Sequence, residues 1–174
     1  MRSIKKIVNI LIVVLALPLM IYAGPAFGLS HEEIFNWVAD ELEITTEYPM
    51  PKIFIVPQEE LQRIFSKATE QSLKQWTKIY GHEEAHKIRD RYLKEVLGLF
   101  DPKNKVIYVG DFMEPCKQQS IIAHEITHYF QNLERGEIDP QSYDAAATVT
   151  AYEMEASHIE NTFMETFSVT LGIH

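Results

Sequence analysis

Three residues in one short stretch have the types and the spacing for metal-assisted hydrolysis. His124-Glu125-Ile126-Thr127-His128 reads H-E-x-x-H. Residues four apart share a face of an α-helix, so His124 and His128 can present two imidazole nitrogens to one metal ion. Glu125 lies beside them, in position to act as a general base on water activated by that ion. The flanking residues favour a helix, because Ile121, Ile122, Ile126, Tyr129 and Phe130 supply apolar positions around the motif. Ile122, Ile126 and Tyr129 form a side suited to a core, and His124, Glu125 and His128 look elsewhere. Ionisable groups in so apolar a helix need partners, and a metal supplies one. The competing reading is a core helix whose histidines are simply hydrogen-bonded.

Two histidines leave a zinc site incomplete, since catalytic zinc usually has three protein ligands and one open position. Cys116 is the only cysteine, which excludes an intrachain disulfide and a CxxC zinc site. The third ligand must therefore be a histidine or a carboxylate. A second helix packed on the first is the natural source. From about Gln141 to Phe167 the chain reads as one long helix that offers Glu153, Glu155, His158 and Glu160. Ala146, Val149, Ala156 and Ser157 lie beside Glu153 and allow close helix packing, whereas Glu155 lies nearer the bulkier Tyr152 and Ile159. Periodicity favours Glu153, with Glu155 and His158 as the alternatives. For either glutamate the competing reading is an exposed helix residue. The expected site is thus His124, His128 and Glu153 as metal ligands for Zn2+ and Glu125 as the catalytic residue. Tyr143, Tyr152 and His158 are candidates for stabilising an oxyanion.

The elements that must position these residues are legible in outline. Ser30 with Glu33 matches a capping box for a helix starting at His31. Ile34, Phe35, Val38 and Leu42 recur along it at helical spacing, and Pro49 and Pro51 end the segment. Lys52–Val56 is a short strand candidate, and Pro57 and the acids after it open another helix. Residues 68–92 are polar, with Leu73, Trp76, Ile79 and Tyr80 as anchors, and read as a helix or a partly ordered insertion. His82 and His86 there sit among Lys78, Lys87, Arg89 and Arg91, the texture of a solvated face rather than a second metal site. Val96–Phe100 and Lys105–Val109 flank Asp101-Pro102-Lys103-Asn104, which predicts a β-hairpin. Pro115 suits the first turn of the H-E-x-x-H helix, and Gly136 suits its end. The fold class is α+β: a small antiparallel or mixed sheet, with the H-E-x-x-H helix packed against a long C-terminal helix.

The chain has 174 residues and a net charge of −9. Arg2, Lys5 and Lys6 precede an uncharged apolar run from Ile7 to Ile21, and small residues follow, so residues 1–28 read as a signal peptide. Residues 29–174 are then a single domain. Removing three bases and no acid takes the net charge to −12. Such an acidic surface argues against nucleic acid and anionic membrane as partners. The expected location is secreted or periplasmic. The alternative is a membrane anchor formed by an uncleaved signal segment.

His124-Glu125-Ile126-Thr127-His128, followed about 25 residues later by Glu153-Met154-Glu155-Ala156, resembles the gluzincin side of the zinc metallopeptidases. The Glu153–Ala156 spacing looks like the ligand glutamate and small packing residue of the membrane-linked members. Those members often carry an aspartate where this chain has Ser157, and they have several membrane spans. The chain is closer in style to small secreted bacterial HExxHxxQ proteins, Gln131 being the Q. The resemblance covers roughly residues 94–165. Gln131 and Glu134 rule out the metzincin pattern. It implies a zincin-like domain that hydrolyses peptide bonds, with a peptide or protein as substrate. It also suggests the strand Lys105–Val109 as a sheet edge beside the cleft, where an extended peptide could add as another strand. The contrasting expectation is a non-catalytic, zinc-stabilised peptide-binding or structural module.

Overall fold

The computed structural model describes residues 28–136, 138 and 145–167. The expected signal peptide, Tyr143 and most of the linker after Gly136 lie outside the described residues. In chain order the elements are α1 (His31–Glu41), β1 (Lys52–Val56), α2 (Gln58–Ala68), α3 (Glu70–Tyr80), α4 (His82–Glu95), β2 (Gly98–Asp101), β3 (Val106–Gly110), α5 (Pro115–Arg135) and α6 (Ala145–Phe167). Among the described residues no helix is long and apolar enough to cross a membrane.

Local chemistry sets several of these boundaries. Ser30 and Glu33 form the reciprocal capping box, with Glu33 N–H donating to Ser30 Oγ and Ser30 N–H donating to Glu33 Oε2. The β2–β3 turn is held by Asp101, whose Oδ1 accepts from the backbone N–H of Lys103 and of Asn104. Lys105 then takes a left-handed φ of 52° to enter β3. Pro115 opens α5, and Gly136 ends it at φ 83°, a conformation that favours glycine. The polar stretch at 68–92 forms two helices, α3 and α4, joined at Gly81.

The sheet order is β1-β3-β2, with β1 parallel and β2 antiparallel to β3. The expected hairpin is present, but the expected edge is corrected. Strand β3 is central, paired on both sides, so Lys105–Val109 cannot receive another strand. The edge beside the cleft is β2. Ile107 and Val109 point from β3 into the core and are fully buried, while Tyr108 on the other face stacks against Phe54 at 5.8 Å.

Helix α5 runs through the middle of the core. Ile122, Ile126, Tyr129 and Phe130 are buried in one cluster with Ile34, Phe35 and Val38 of α1 and with Ile159 and Phe163 of α6. The Phe35 and Phe130 rings lie 5.0 Å apart, and Trp37 meets Phe163 edge-on at 5.3 Å. Tyr129 donates its hydroxyl to Pro49 O, tying the loop before β1 to α5. Helix α6 packs along α5 through Ala156, Ile159 and Phe163, all buried. This is the small α+β, zincin-like arrangement: a mixed sheet beneath the motif helix, with a long helix packed against it.

Candidate metal centre

The α5–α6 packing carries the candidate site. On α5, His124 and His128 leave the core stripe and face α6, both partly buried. Their Nε2 atoms lie 3.1 Å apart. On α6, Glu153 is three residues before the buried Ala156, so the close contact made by Ala156 sets its carboxylate against the histidines. Glu153 Oε2 is 3.6 Å from His124 Nε2, and Glu153 Oε1 is 3.5 Å from His128 Nε2. These three residues form a group able to hold a metal ion. Glu155, the alternative, is turned away and is engaged by Arg135 in two 2.8 Å contacts. His158 is exposed and its side chain donates nothing to the group.

The three residues are close enough to share one ion, with one donor atom of each within 4.8 Å of the others. An ion about 2.0–2.1 Å from each of four ligand atoms sets those atoms roughly 3.3 Å apart along a tetrahedron's edge. The two Nε2 atoms, 3.1 Å apart, are close to that value, and a different Glu153 oxygen faces each histidine, at 3.6 Å from His124 and 3.5 Å from His128. Two imidazoles and one carboxylate are also the donor types of many catalytic zinc sites.

Each histidine has its own support. His128 Nδ1 is 2.8 Å from Gln131 Oε1. The amide nitrogen of Gln131 donates to Tyr152 O at 3.0 Å and to Glu155 Oε2 at 2.8 Å, which fixes which way the amide points. Its oxygen can only accept, so Nδ1 of His128 carries a proton and Nε2 is left for the site. His124 Nδ1 lies 3.1 Å from Glu160 Oε2. The contact is off the ring N–H direction, so it is an ion-pair contact and not an aligned hydrogen bond. Glu160 is held in turn by Lys117. Supporting groups of this kind orient metal-binding histidines and raise their basicity. Gln131 entered the sequence reading only as a motif letter and Glu160 only as one of several helix acids. Glu160 lies seven residues after Glu153, two turns along the same helical face, and that spacing was the available signal.

Glu125 is buried between α5 and β2. A Cβ added at Gly98 would lie 2.7 Å from Glu125 Oε1 and 2.7 Å from Ile121 Cγ2. Only glycine lets the edge strand pass this close to the carboxylate. Burial pushes Glu125 above the usual carboxylate range, opposed by His128, His124 and a hydrogen bond from the Phe100 backbone.

The electrostatics favour a cation here. Burial disfavours a charged His124, yet Glu153, Glu160 and Glu125 outweigh it and push its pKa up to about 10. His128 is shifted upward too, again against burial, mainly by Glu153. Glu153 is held well below the ordinary carboxylate range by His124 and His128. Glu160 is lowered to about 2, chiefly by His124, against the opposing effect of burial and with help from Lys117. The carboxylates thus draw positive charge onto the imidazoles, which is the charge that a divalent ion would supply in place of protons.

His124, Glu125, His128 and Glu153 line a cleft of about 870 Å3. Leu97 and Gly98 to Phe100 of the edge strand line it as well, as does Tyr152. Of the expected oxyanion-stabilising candidates, Tyr152 borders the cleft and His158 does not. The His82 and His86 rings lie tilted at 4.3 Å on α4, and among the described residues they belong to no three-donor group. Comparison with family models, with curated proteins and with solved structures gives no match.

Proposed function

We propose that the protein is a zinc-dependent hydrolase of peptide bonds, with His124, His128 and Glu153 holding the ion and Glu125 acting as general base. The observation that carries this reading is the convergence of His124, His128 and Glu153, with one donor atom of each within 4.8 Å of the others, beside a buried glutamate in an open cleft. When bound, zinc supplies Lewis acidity toward a scissile carbonyl and lowers the pKa of water at the site.

The chain's own residues account for the rest. The substrate's main chain pairs with the outer edge of β2, which has no strand partner among the described residues, and this places a peptide bond over the motif helix. Glu125 accepts the proton lost by the attacking water and delivers it to the leaving amine, so the carboxylate returns to its starting state. Gly98 keeps room for that carboxylate, and Gln131 and Glu160 hold the two imidazoles in register. Tyr152 is the candidate for hydrogen bonding to the developing oxyanion.

The test compares wild type with Glu125→Gln. The variant is expected to keep its fold and one zinc per chain but to lose cleavage of unfolded protein and of cell-wall peptides. A wild-type protein that binds zinc and cleaves nothing across a broad peptide library would overturn the reading. One observation favours a second reading. The triad joins α5 to α6, so bound zinc would also staple the two helices together, and that outcome would identify a non-catalytic, zinc-stabilised module. A secreted or periplasmic location is part of the proposal and rests on the sequence of residues 1–28.

A further inference from the structure

The metal centre occupies one side of the cleft, and the α3–α4 hairpin, which has no part in holding the ion, lines it with Trp76, Tyr92 and Glu95. Trp76 of α3 and Tyr92 of α4 stack with ring centroids 5.9 Å apart and an interplanar angle of 30°, and both line the cleft. Phe65 of α2 extends this wall, and Val149 of α6 lines it too. Tyr92 and Val149 are 49% and 46% exposed, so large apolar surface is left uncovered inside the cleft. The charged residues among the described lining are Glu95, Glu125 and Glu153, and no Lys or Arg is among them. Apart from His124, His128 and the ion they would hold, the charge lining the cleft is negative, and its aromatic wall admits apolar side chains. Aromatic faces are themselves electron-rich. An acidic side chain entering here would lose water and find no cation on the wall.

We propose that Trp76 and Tyr92 form a specificity wall that selects peptides with a large apolar side chain near the scissile bond and rejects acidic ones. This rests on the hydrolase reading and names its substrate class. The metal triad and the aromatic pair border one continuous cleft of about 870 Å3, room enough for a peptide segment of a few residues. A main chain lying along β2 over the motif helix directs alternate side chains toward or away from this wall.

The test uses zinc-loaded Glu125→Gln protein and three fluorescently labelled Ser-Gly octapeptides that carry a central Phe, Ala or Glu. Binding is read by fluorescence anisotropy, so it does not depend on turnover. The Phe peptide is expected to bind about tenfold or more tightly than the Ala peptide, as burial of one aromatic side chain implies, with the Glu peptide weakest. Trp76→Ala is expected to bring the Phe and Ala peptides to within about threefold of each other. Val149→Asp, at an exposed helix position that leaves the core untouched, is expected to do the same. Equal binding of the Phe and Ala peptides, no binding of either, or a Phe preference that survives both substitutions would overturn the proposal. The two readings fail separately. Wild-type cleavage without side-chain preference sinks the specificity wall alone, whereas selective binding with no cleavage sinks the hydrolase reading and supports the wall.

Discussion

Glu160 offers the most informative perturbation of the site, because it touches a histidine without belonging to the metal-binding group. Its carboxylate contacts His124 Nδ1 at 3.1 Å and is anchored by Lys117. Losing such a supporting group typically lowers metal affinity by about 10- to 100-fold. Glu160→Gln keeps the shape and loses only the charge that faces His124 Nδ1, so the low end applies: about tenfold, or about 1.4 kcal/mol. Glu160→Ala removes the contact altogether and moves the loss toward a hundredfold, about 2.7 kcal/mol. The ion pair with Lys117 is the competing contribution. Lys117 is 43% exposed, and pairs at such positions contribute about 0–1 kcal/mol. Lys117→Met breaks that pair without touching His124, and it is expected to change zinc affinity by less than about threefold. The assay is competition for zinc against a chromophoric chelator at neutral pH, run on all three variants. Unchanged affinity in Glu160→Ala would refute the orienting role. So would an equal loss in Lys117→Met.

Other substitutions test the scaffold and its pH response. Gly98→Ala is expected to lower stability by about 1–3 kcal/mol through overpacking, read as a lower urea midpoint, because the new methyl meets both Glu125 and Ile121. Phe163→Ala removes a fully buried ring shared by α1, α5 and α6 and is expected to cost about 3–5 kcal/mol, measured by chemical denaturation of the metal-free protein. Glu33 is held below the ordinary carboxylate range by the Ser30 backbone and side chain. A depressed folded-state pKa gives stability that is present above the unfolded value and lost as pH falls through the folded one. Thermal melts of the metal-free protein in acid are therefore expected to fall less steeply in Glu33→Gln than in wild type, and parallel acid limbs would contradict the assignment.

Features set by neighbouring residues were the legible ones. The capping box at Ser30 and Glu33, the Asp101–Asn104 turn and the apolar stripe of Ile122, Ile126 and Tyr129 are local signals, and each forms as read. The small residue at Ala156 marked the packed side of α6, and the carboxylate of Glu153 comes to the histidines beside it. What stayed hidden depends on long-range geometry. The alternation in Val106–Val109 marks a strand but not its neighbours, so the parallel pairing with β1 that makes β3 central was out of reach. Gly98 has meaning only because β2 crosses Glu125. The contact of Glu160 with His124 depends on how α6 lies against α5. Residues 68–92 are too polar to reveal a core-facing stripe, and the stacking of Trp76 on Tyr92 spans two helices and the turn between them.

Anomalous diffraction at the zinc edge, from crystals grown with one equivalent of zinc, tests the central claim most directly. The expected result is a single peak about 2.0–2.2 Å from His124 Nε2, His128 Nε2 and one Glu153 oxygen, with a fourth position open to the cleft. A peak on His82 and His86, a ligand set with Glu155 or Glu160 in place of Glu153, or no peak at the α5–α6 contact would contradict it.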